Sequence, residues 1–211
     1  MRKVWWAAAP VAVAAMVAAS AQPYFSVIRP WSWSQERVVE PGASAEFAFP
    51  IHGAGDITRD AEVSVVGFQQ VPESDFQALT ISPPEGFNMW IVLTQWHAPQ
   101  DSPLSYCRVW ATGTDGREYL LSDRVFSTEP ILPVISNSKS CTPAENSGPY
   151  FDGAQLVDGF GDPRPDEWQK LTPIAMPAGV QPAKLHFGWD EPNYVTLVLP
   201  EPEVFVTPGE S

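Results

Sequence analysis

Prolines interrupt this chain from one end to the other. There are 23 among 211 residues, which is about twice the usual frequency. Because proline lacks a backbone N–H and has a fixed φ, it excludes long helices and the interiors of central strands. Short runs of alternating apolar residues stand between the prolines, and no helical stripe occurs after residue 30. The chain is therefore predicted to be all-β, with short strands joined by rigid loops.

The run NMWIVLTQWH (88–97) is the strongest strand signal. Its residues fall into two alternating sets: Trp90, Val92, Thr94 and Trp96 on one face, and Met89, Ile91 and Leu93 on the other. Apolar side chains on both faces are typical of a central, buried strand. The run that follows Pro41-Gly42 alternates in the same way at Ala43, Ala45, Phe47 and Phe49, and DAEVSVVGF does so at Val63 and Val65.

Asp115-Gly116 separates SYCRVWAT from REYLLSD and predicts a two-residue type I′ hairpin, which needs positive φ at both positions. Further strand signals are ILPVI, LTPIAMP, AKLHFGW and YVTLVLP. Seven to nine short strands at such intervals predict an immunoglobulin-like antiparallel β-sandwich. A long loop is predicted at 142–165, between the strands.

The N-terminal segment 1–28 predicts one transmembrane or signal helix. Arg2 and Lys3 precede an apolar run over residues 4–28, long enough to span a bilayer. Aromatic residues near both ends of that run favour a retained anchor, with the N-terminus cytoplasmic and the following domain extracytoplasmic. The alternative is a signal peptide cleaved after Ala21, at the motif Ala19-Ser20-Ala21, which would release a secreted protein.

Four parts are predicted along the chain. They are the anchor or signal segment 1–28, a Pro/Trp-rich tether 29–36, the immunoglobulin-like domain 37–207 with its long loop, and a tail 208–211. The only two cysteines, Cys107 and Cys141, both fall in the domain. In an oxidising compartment outside the membrane we expect them to form one structural disulfide.

The charge distribution excludes nucleic acid as a partner. Of the 12 Lys and Arg residues, 4 lie within residues 1–37, which leaves 8 against 24 of the 25 Asp and Glu residues in the remainder. A domain this acidic repels phosphate backbones. A protein partner in or on the membrane is expected instead, with contact to the membrane itself through residues 4–28.

No cofactor or catalytic motif stands out. Ser136 and Lys139 match S-x-x-K without its companion motifs, and His52, His97 and His186 are far apart in the sequence. Weak calcium candidates are Asp158, Asp162, Asp166 and Glu167, whose spacing matches no known calcium loop. We therefore predict neither a cofactor nor a metal, and expect a solvated acidic loop with Trp168 tucked into the core.

Tryptophan is abundant, with nine residues. Trp90, Trp96 and Trp110 are expected to fill the space between the sheets, as large aromatic residues on central strands do. Trp31, Trp33, Trp168 and Trp189 are instead candidates for exposed aromatic platforms, which bind sugars by stacking when carboxylates flank them.

Four segments carry a resemblance to a group of proteins: EPGASAEF, PPEGFNMWIVLTQW, CRVWATGTDGREYLL and PIAMPAGVQPAKLHF. Their order resembles that of uncharacterised exported immunoglobulin-like proteins of actinobacterial cell envelopes, over roughly residues 38–200. In those proteins a large apolar residue, two spaced prolines and a leucine mark the last hairpin, and Met176-Pro177, Pro182 and Leu185 match that pattern. The resemblance implies a sandwich at the cell surface and brings no activity or site residues.

We therefore expect a non-enzymatic, membrane-anchored extracytoplasmic interaction or accessory module of the cell envelope, for which a membrane protein complex is one candidate partner. The alternative is a secreted carbohydrate-binding module of the cell wall. A third hypothesis is an envelope hydrolase whose site is built from loops.

Overall fold

The computed structural model describes residues 32–76, 83–120, 141–143, 146–159 and 162–203, together with positions 10, 13 and 16. Within these residues the chain is almost entirely β. The strands are β1 (Gln35–Val39), β2 (Ser44–Pro50), β3 (Thr58–Val71), β4 (Phe87–His97), β5 (Arg108–Gly113), β6 (Glu118–Leu120), β7 (Tyr150–Phe151), β8 (Leu156–Val157), β9 (Glu167–Pro177), β10 (Pro182–Gly188) and β11 (Asn193–Val198). In the part of the chain that the structure describes, one 3-10 turn, Glu73–Asp75, follows β3.

Two open sheets form a sandwich-like arrangement. The five-stranded sheet has the order β1-β11-β10-β5-β6 and the four-stranded sheet the order β2-β3-β4-β9. Every pairing in them is antiparallel except that of β1 with β11, which is parallel. The predicted all-β, mainly antiparallel sandwich is confirmed at this level.

The main core lies between the sheets. Trp90, Val92, Thr94 and Trp96 of β4 are all buried, as their alternation predicts. Facing residues come from alternate positions of the other sheet, such as Leu185 and Phe187 of β10. On the opposite face of β4, Met89 and Ile91 are also buried, in a second cluster with Val71.

Two turns differ from their predicted form. In the β5–β6 connection the N–H of Gly116 donates to the Gly113 carbonyl, and the N–H of Gly113 donates to the Arg117 carbonyl. Gly116 has a φ of 75°, whereas Asp115 is not in the left-handed region. The hairpin is therefore confirmed, but its loop has three residues ending in a left-handed glycine, because a type I turn followed by glycine also matches the strand twist.

The pattern at Met176-Pro177, Pro182 and Leu185 does not mark a hairpin. It joins β9 to β10, which belong to different sheets, and the last hairpin is β10–β11. Met176 and Leu185 are both fully buried. The spaced prolines thus end one strand and begin the next where the chain crosses between the layers.

Several predicted segments have other boundaries in the structure. β1 begins at Gln35, inside the range predicted as tether. The loop predicted at 142–165 contains the small β7–β8 hairpin, and Glu167 and Trp168 belong to β9.

The described residues do not include every predicted segment. Those outside them are ILPVI, Ser136, Lys139, residues 204–211, Trp31 and most of segment 1–28. Among those that are described, no helix has both the length and the apolar character needed to cross a membrane.

Several loops that are far apart in the sequence lie at one end of the sandwich, which we call the tether end. It comprises residues 32–34, the turn 51–57, the loop 98–107, the loop residues 146–159 and 162–166, and the turn 189–192. The buried Arg59 side chain of β3 links two of these parts, because it donates to the Pro103 carbonyl and forms an ion pair with Asp190 at 2.6 Å. Ser102 donates to the Asp60 carbonyl in the same region.

Candidate functional site

The disulfide predicted between Cys107 and Cys141 is present, with Cα atoms 5.8 Å apart. It ties the start of β5 to the segment 141–143. The indole N–H of Trp168 donates to the Cys141 carbonyl at 3.0 Å, and Lys170 Nζ donates to the Thr142 carbonyl at 3.4 Å. Burial lowers the pKa of Lys170 to about 8. The bond therefore holds the entrance to β5 against the edge strand β9.

Arg164 organises the loops around this bond. Its side chain is fully buried, with one face stacked over the Trp168 ring at 4.8 Å. Its Nη1 donates to the Ser102 carbonyl at 2.9 Å, and its Nη2 donates to the Pro99 carbonyl. Burial lowers the pKa of Arg164 to about 10, against the opposing effect of Asp166 and Asp101. Arg164 thus stays cationic at neutral pH and joins the two loops of the tether end.

A cavity of about 460 Å³ opens beside Arg164, and we call it the loop cavity. Its lining includes Asp101, Pro149, Leu156, Asp158, Asp162 and Arg164. The volume is in the range of small-ligand sites, about 300–1,000 Å³. Arg164 Nε has no hydrogen-bond partner among the described residues. The cavity wall therefore combines three carboxylates with one buried cation that retains an unsatisfied donor.

The four calcium candidates are divided by this geometry. Asp158 and Asp162 line the loop cavity, whereas Asp166 and Glu167 do not, and Glu167 begins β9. Within the described ranges no group of three or more His, Cys, Asp or Glu side chains is arranged to hold a metal. The four residues therefore do not form one site.

Tyr106 lies beside the loop that contributes Pro149 to the cavity wall, and the sequence analysis did not identify it. Its side chain is 75% exposed, yet its φ is 63°, a conformation that bulky residues rarely adopt. Its ring contacts that of Tyr150 edge to face, with centroids 5.7 Å apart. Tyr150 follows Pro149 of the cavity wall. No local pattern around Tyr106 signals this role, whereas Arg164 is conspicuous as the only base between Cys141 and Glu167.

The predicted aromatic platforms have other positions. Trp168 is only 6% exposed and stacks on Trp96, so its assignment to the core is confirmed and its assignment as a platform is wrong. Trp189 is half-buried, packs against Phe47 and donates to the Leu104 carbonyl. Both are anchored because an indole has a large apolar surface and an N–H that needs a partner.

Trp33 belongs to a cluster on the outer face of the five-stranded sheet, which we call the tether cluster: Trp33, Trp110, His186 and Tyr194. The Trp33 ring lies 5.3 Å from that of Trp110 and 6.2 Å from that of Tyr194. It also covers Gly188, where an added Cβ would lie 2.5 Å from the indole. Trp110 is buried as predicted, but by this cluster rather than between the sheets.

Three polar side chains form a hydrogen-bonded chain with His186 of the tether cluster: Thr112, Thr196 and Glu36. Thr112 and Thr196 each lie 2.8 Å from a different ring nitrogen of His186, and Thr196 donates to Glu36 at 2.7 Å. Burial lowers the pKa of His186 to about 4, while Glu36 acts in the opposite direction. His186 is therefore neutral at physiological pH, and its ring stacks on Trp110.

The other two histidines lie elsewhere. His52 is exposed in the turn 51–57, with Nε2 2.9 Å from the Glu191 carbonyl. His97 is exposed at the end of β4, where it lines a pocket of about 430 Å³ with Glu62, Ser64 and Glu167. No hydrogen bond joins Ser64 to His97 in the described structure. The three histidines thus occupy three separate places.

Comparison with known proteins adds no relative: no family model, no curated protein and no solved structure matches this chain.

Proposed function

We propose that this protein is a membrane-anchored, extracytoplasmic module of the cell envelope that binds a protein partner and has no catalytic role. The observation that carries this proposal is the docking of Trp33 on Gly188. It attaches the chain that leaves the predicted anchor directly to the folded domain, and the next residues enter the sheet as β1.

The tether is short and is hydrogen-bonded to the folded domain. The backbone N–H groups of Ser34 and Gln35 both donate to the Pro192 carbonyl, at 3.1 and 2.8 Å. Trp33 is five positions after Ile28, and an extended chain over five positions spans about 17 Å. If segment 4–28 stays in the membrane, the tether end of the domain is therefore kept within that distance of the bilayer. A partner that it recognises there would itself lie in or on the membrane.

β1 is the surface that we assign to the partner. Within the described chain it pairs only with β11, at the margin of the five-stranded sheet. Val38 on this strand is 49% exposed. Unpaired backbone groups of an edge strand accept a strand from another chain. The edge strand β9 is less suitable, because Pro173 and Pro177 in it lack backbone donors.

The finer fold assignment is part of this proposal. Immunoglobulin-like sandwiches place strands G, F and C side by side in one sheet and strands B and E in the other. The adjacency β11-β10-β5 supports the first set and the adjacency β4-β9 supports the second. The resemblance to exported immunoglobulin-like envelope proteins agrees with this assignment.

A photoreactive phenylalanine analogue at Val38 tests the partner surface in native membranes. Val66 on β3 is the matched control, because it is a valine on a strand with nearly the same exposure, 47%. We expect one adduct from position 38 that maps to one segment of one membrane-associated protein, and no such adduct from position 66. Equal adducts from both positions, or none from position 38, would contradict the proposal.

The intact mass of the protein recovered from membrane and medium fractions tests the anchor separately. A chain beginning at Met1 in the membrane supports retention. A free chain beginning at Gln22 would favour the alternative, a secreted carbohydrate-binding module.

A further inference from the structure

The exposed ring of Tyr106 is held in place by its neighbours in the chain. Cys107 is fixed by the disulfide. The hydroxyl of Ser105 donates to the Ser147 carbonyl at 3.2 Å, which places the 105–107 segment against the loop that leads into the cavity wall. A left-handed backbone at a bulky residue persists only where the surroundings impose it, and such residues concentrate at ligand sites. The fold thus keeps a large aromatic ring in solvent, in contact with Tyr150, which is the chain neighbour of Pro149 in the cavity wall.

The cavity beside this ring has the polarity of a site for hydroxyl-rich molecules. The carboxylates of Asp101, Asp158 and Asp162 accept hydrogen bonds, and the buried guanidinium of Arg164 adds one positive charge to the wall. Pro149 and Leu156 add apolar surface. A few polar groups on an apolar lining are typical of small-ligand sites.

We infer that the loop cavity binds a neutral oligosaccharide, with one sugar ring stacked on Tyr106 and hydroxyl groups donating to Asp101, Asp158 and Asp162. This site is separate from β1 and does not depend on the proposed protein partner.

The charge of the site decides the ligand class. Three carboxylates against one guanidinium leave an excess of negative charge around the cavity, which disfavours uronic acids, phosphates and anionic lipid headgroups. Stacking needs an apolar face, which the C–H groups of a sugar ring offer to tyrosine. A neutral saccharide satisfies both requirements.

Titration calorimetry with cellohexaose, maltohexaose, xylohexaose and mannohexaose tests this inference on the intact disulfide-bonded protein. We expect at least one of them to bind with a Kd of about 1 mM or tighter, and hexagalacturonic acid not to bind. Tyr106→Ala should weaken binding about tenfold, and Asp162→Asn should weaken it to a smaller extent. Tyr119→Ala is the control, because Tyr119 lies on β6 in the hairpin at the opposite end and should leave the Kd unchanged.

Tyr106→Asn provides a second variant if Tyr106→Ala does not fold, because asparagine tolerates the left-handed conformation. Absence of binding by all four saccharides at about 10 mM would overturn the inference. Unchanged binding by the Tyr106 variants would also overturn it. Tyr106-dependent binding to phosphatidylcholine vesicles in place of the saccharides would assign the ring to the membrane and likewise overturn the inference.

Discussion

Two groups of aromatic side chains lie near the tether end, and they differ in what surrounds them. In the tether cluster Trp33 covers a glycine and contacts two other rings, so most of its surface is removed from water. Tyr106 has one aromatic neighbour and remains 75% exposed on a left-handed backbone. The first group stabilises the attachment of the tether, whereas the second holds a ring available to a ligand. Aromatic content alone does not distinguish these roles.

The largest expected effect is the loss of stability on removal of the disulfide that fixes Cys107, the chain neighbour of Tyr106. Replacing both cysteines, Cys107→Ser with Cys141→Ser, removes a cross-link between residues 34 positions apart. The chain-entropy model gives a loss of about 3–4 kcal/mol, and hence a Tm lower by about 10 °C. Thermal unfolding followed by circular dichroism measures it. An unchanged Tm would contradict the structural role of the bond, and earlier proteolysis at 98–107 than at the tether would localise the effect.

Lowering the pH should destabilise the protein through protonation of His186 in the tether cluster. His186 has a pKa of about 4 in the folded protein, against 6.5 for an unperturbed histidine, so the unfolded chain binds the extra proton between these values. Stability is then fully present above pH 6.5 and falls by about 3 kcal/mol as the pH drops to 4. Urea unfolding at a series of pH values checks this, with His186→Gln as the control. Identical pH dependence in both proteins would refute the assignment.

Gly188→Ala is the next test, since it fills the place that Trp33 occupies. A Cβ 2.5 Å from the indole should displace Trp33 and lower the free energy of unfolding by about 1–3 kcal/mol. Gly67→Ala is the matched control, because its Cβ would meet only Leu93 Cβ at 3.5 Å. Near-ultraviolet circular dichroism reports the displacement of Trp33, and urea unfolding reports the loss of stability. Equal losses of stability in both variants would contradict a specific contact between Trp33 and Gly188.

The smallest expected effect is at Tyr106. Tyr106→Gly relieves the left-handed backbone, which costs a non-glycine residue about 1–2 kcal/mol, but it also increases the entropy of the unfolded chain by a comparable amount. The free energy of unfolding should therefore change by less than about 1 kcal/mol, in contrast to Gly188→Ala. A large destabilisation in urea unfolding would show that Tyr106 serves the fold rather than a ligand.

The strands were predictable because their signals are local. Alternation over a few residues identified both faces of β4, and turn chemistry identified the β5–β6 hairpin. The type of that turn was wrong, since Asp-Gly fits more than one hairpin loop and the difference depends on the pairing of Gly113 with Arg117. The pairing of the cysteines was predictable for another reason, namely that only two are present.

The candidate site was not predictable, because it depends on contacts between distant parts of the chain. Composition and local patterns predicted an acidic, proline-rich all-β domain with one disulfide. The packing of remote segments places Trp33 on Gly188, joins Arg164 to the Pro99 and Ser102 carbonyls, and leaves Tyr106 exposed. The physical reason is that alternation and turns are encoded by neighbouring residues, whereas burial and exposure of a side chain depend on which remote segment packs against it.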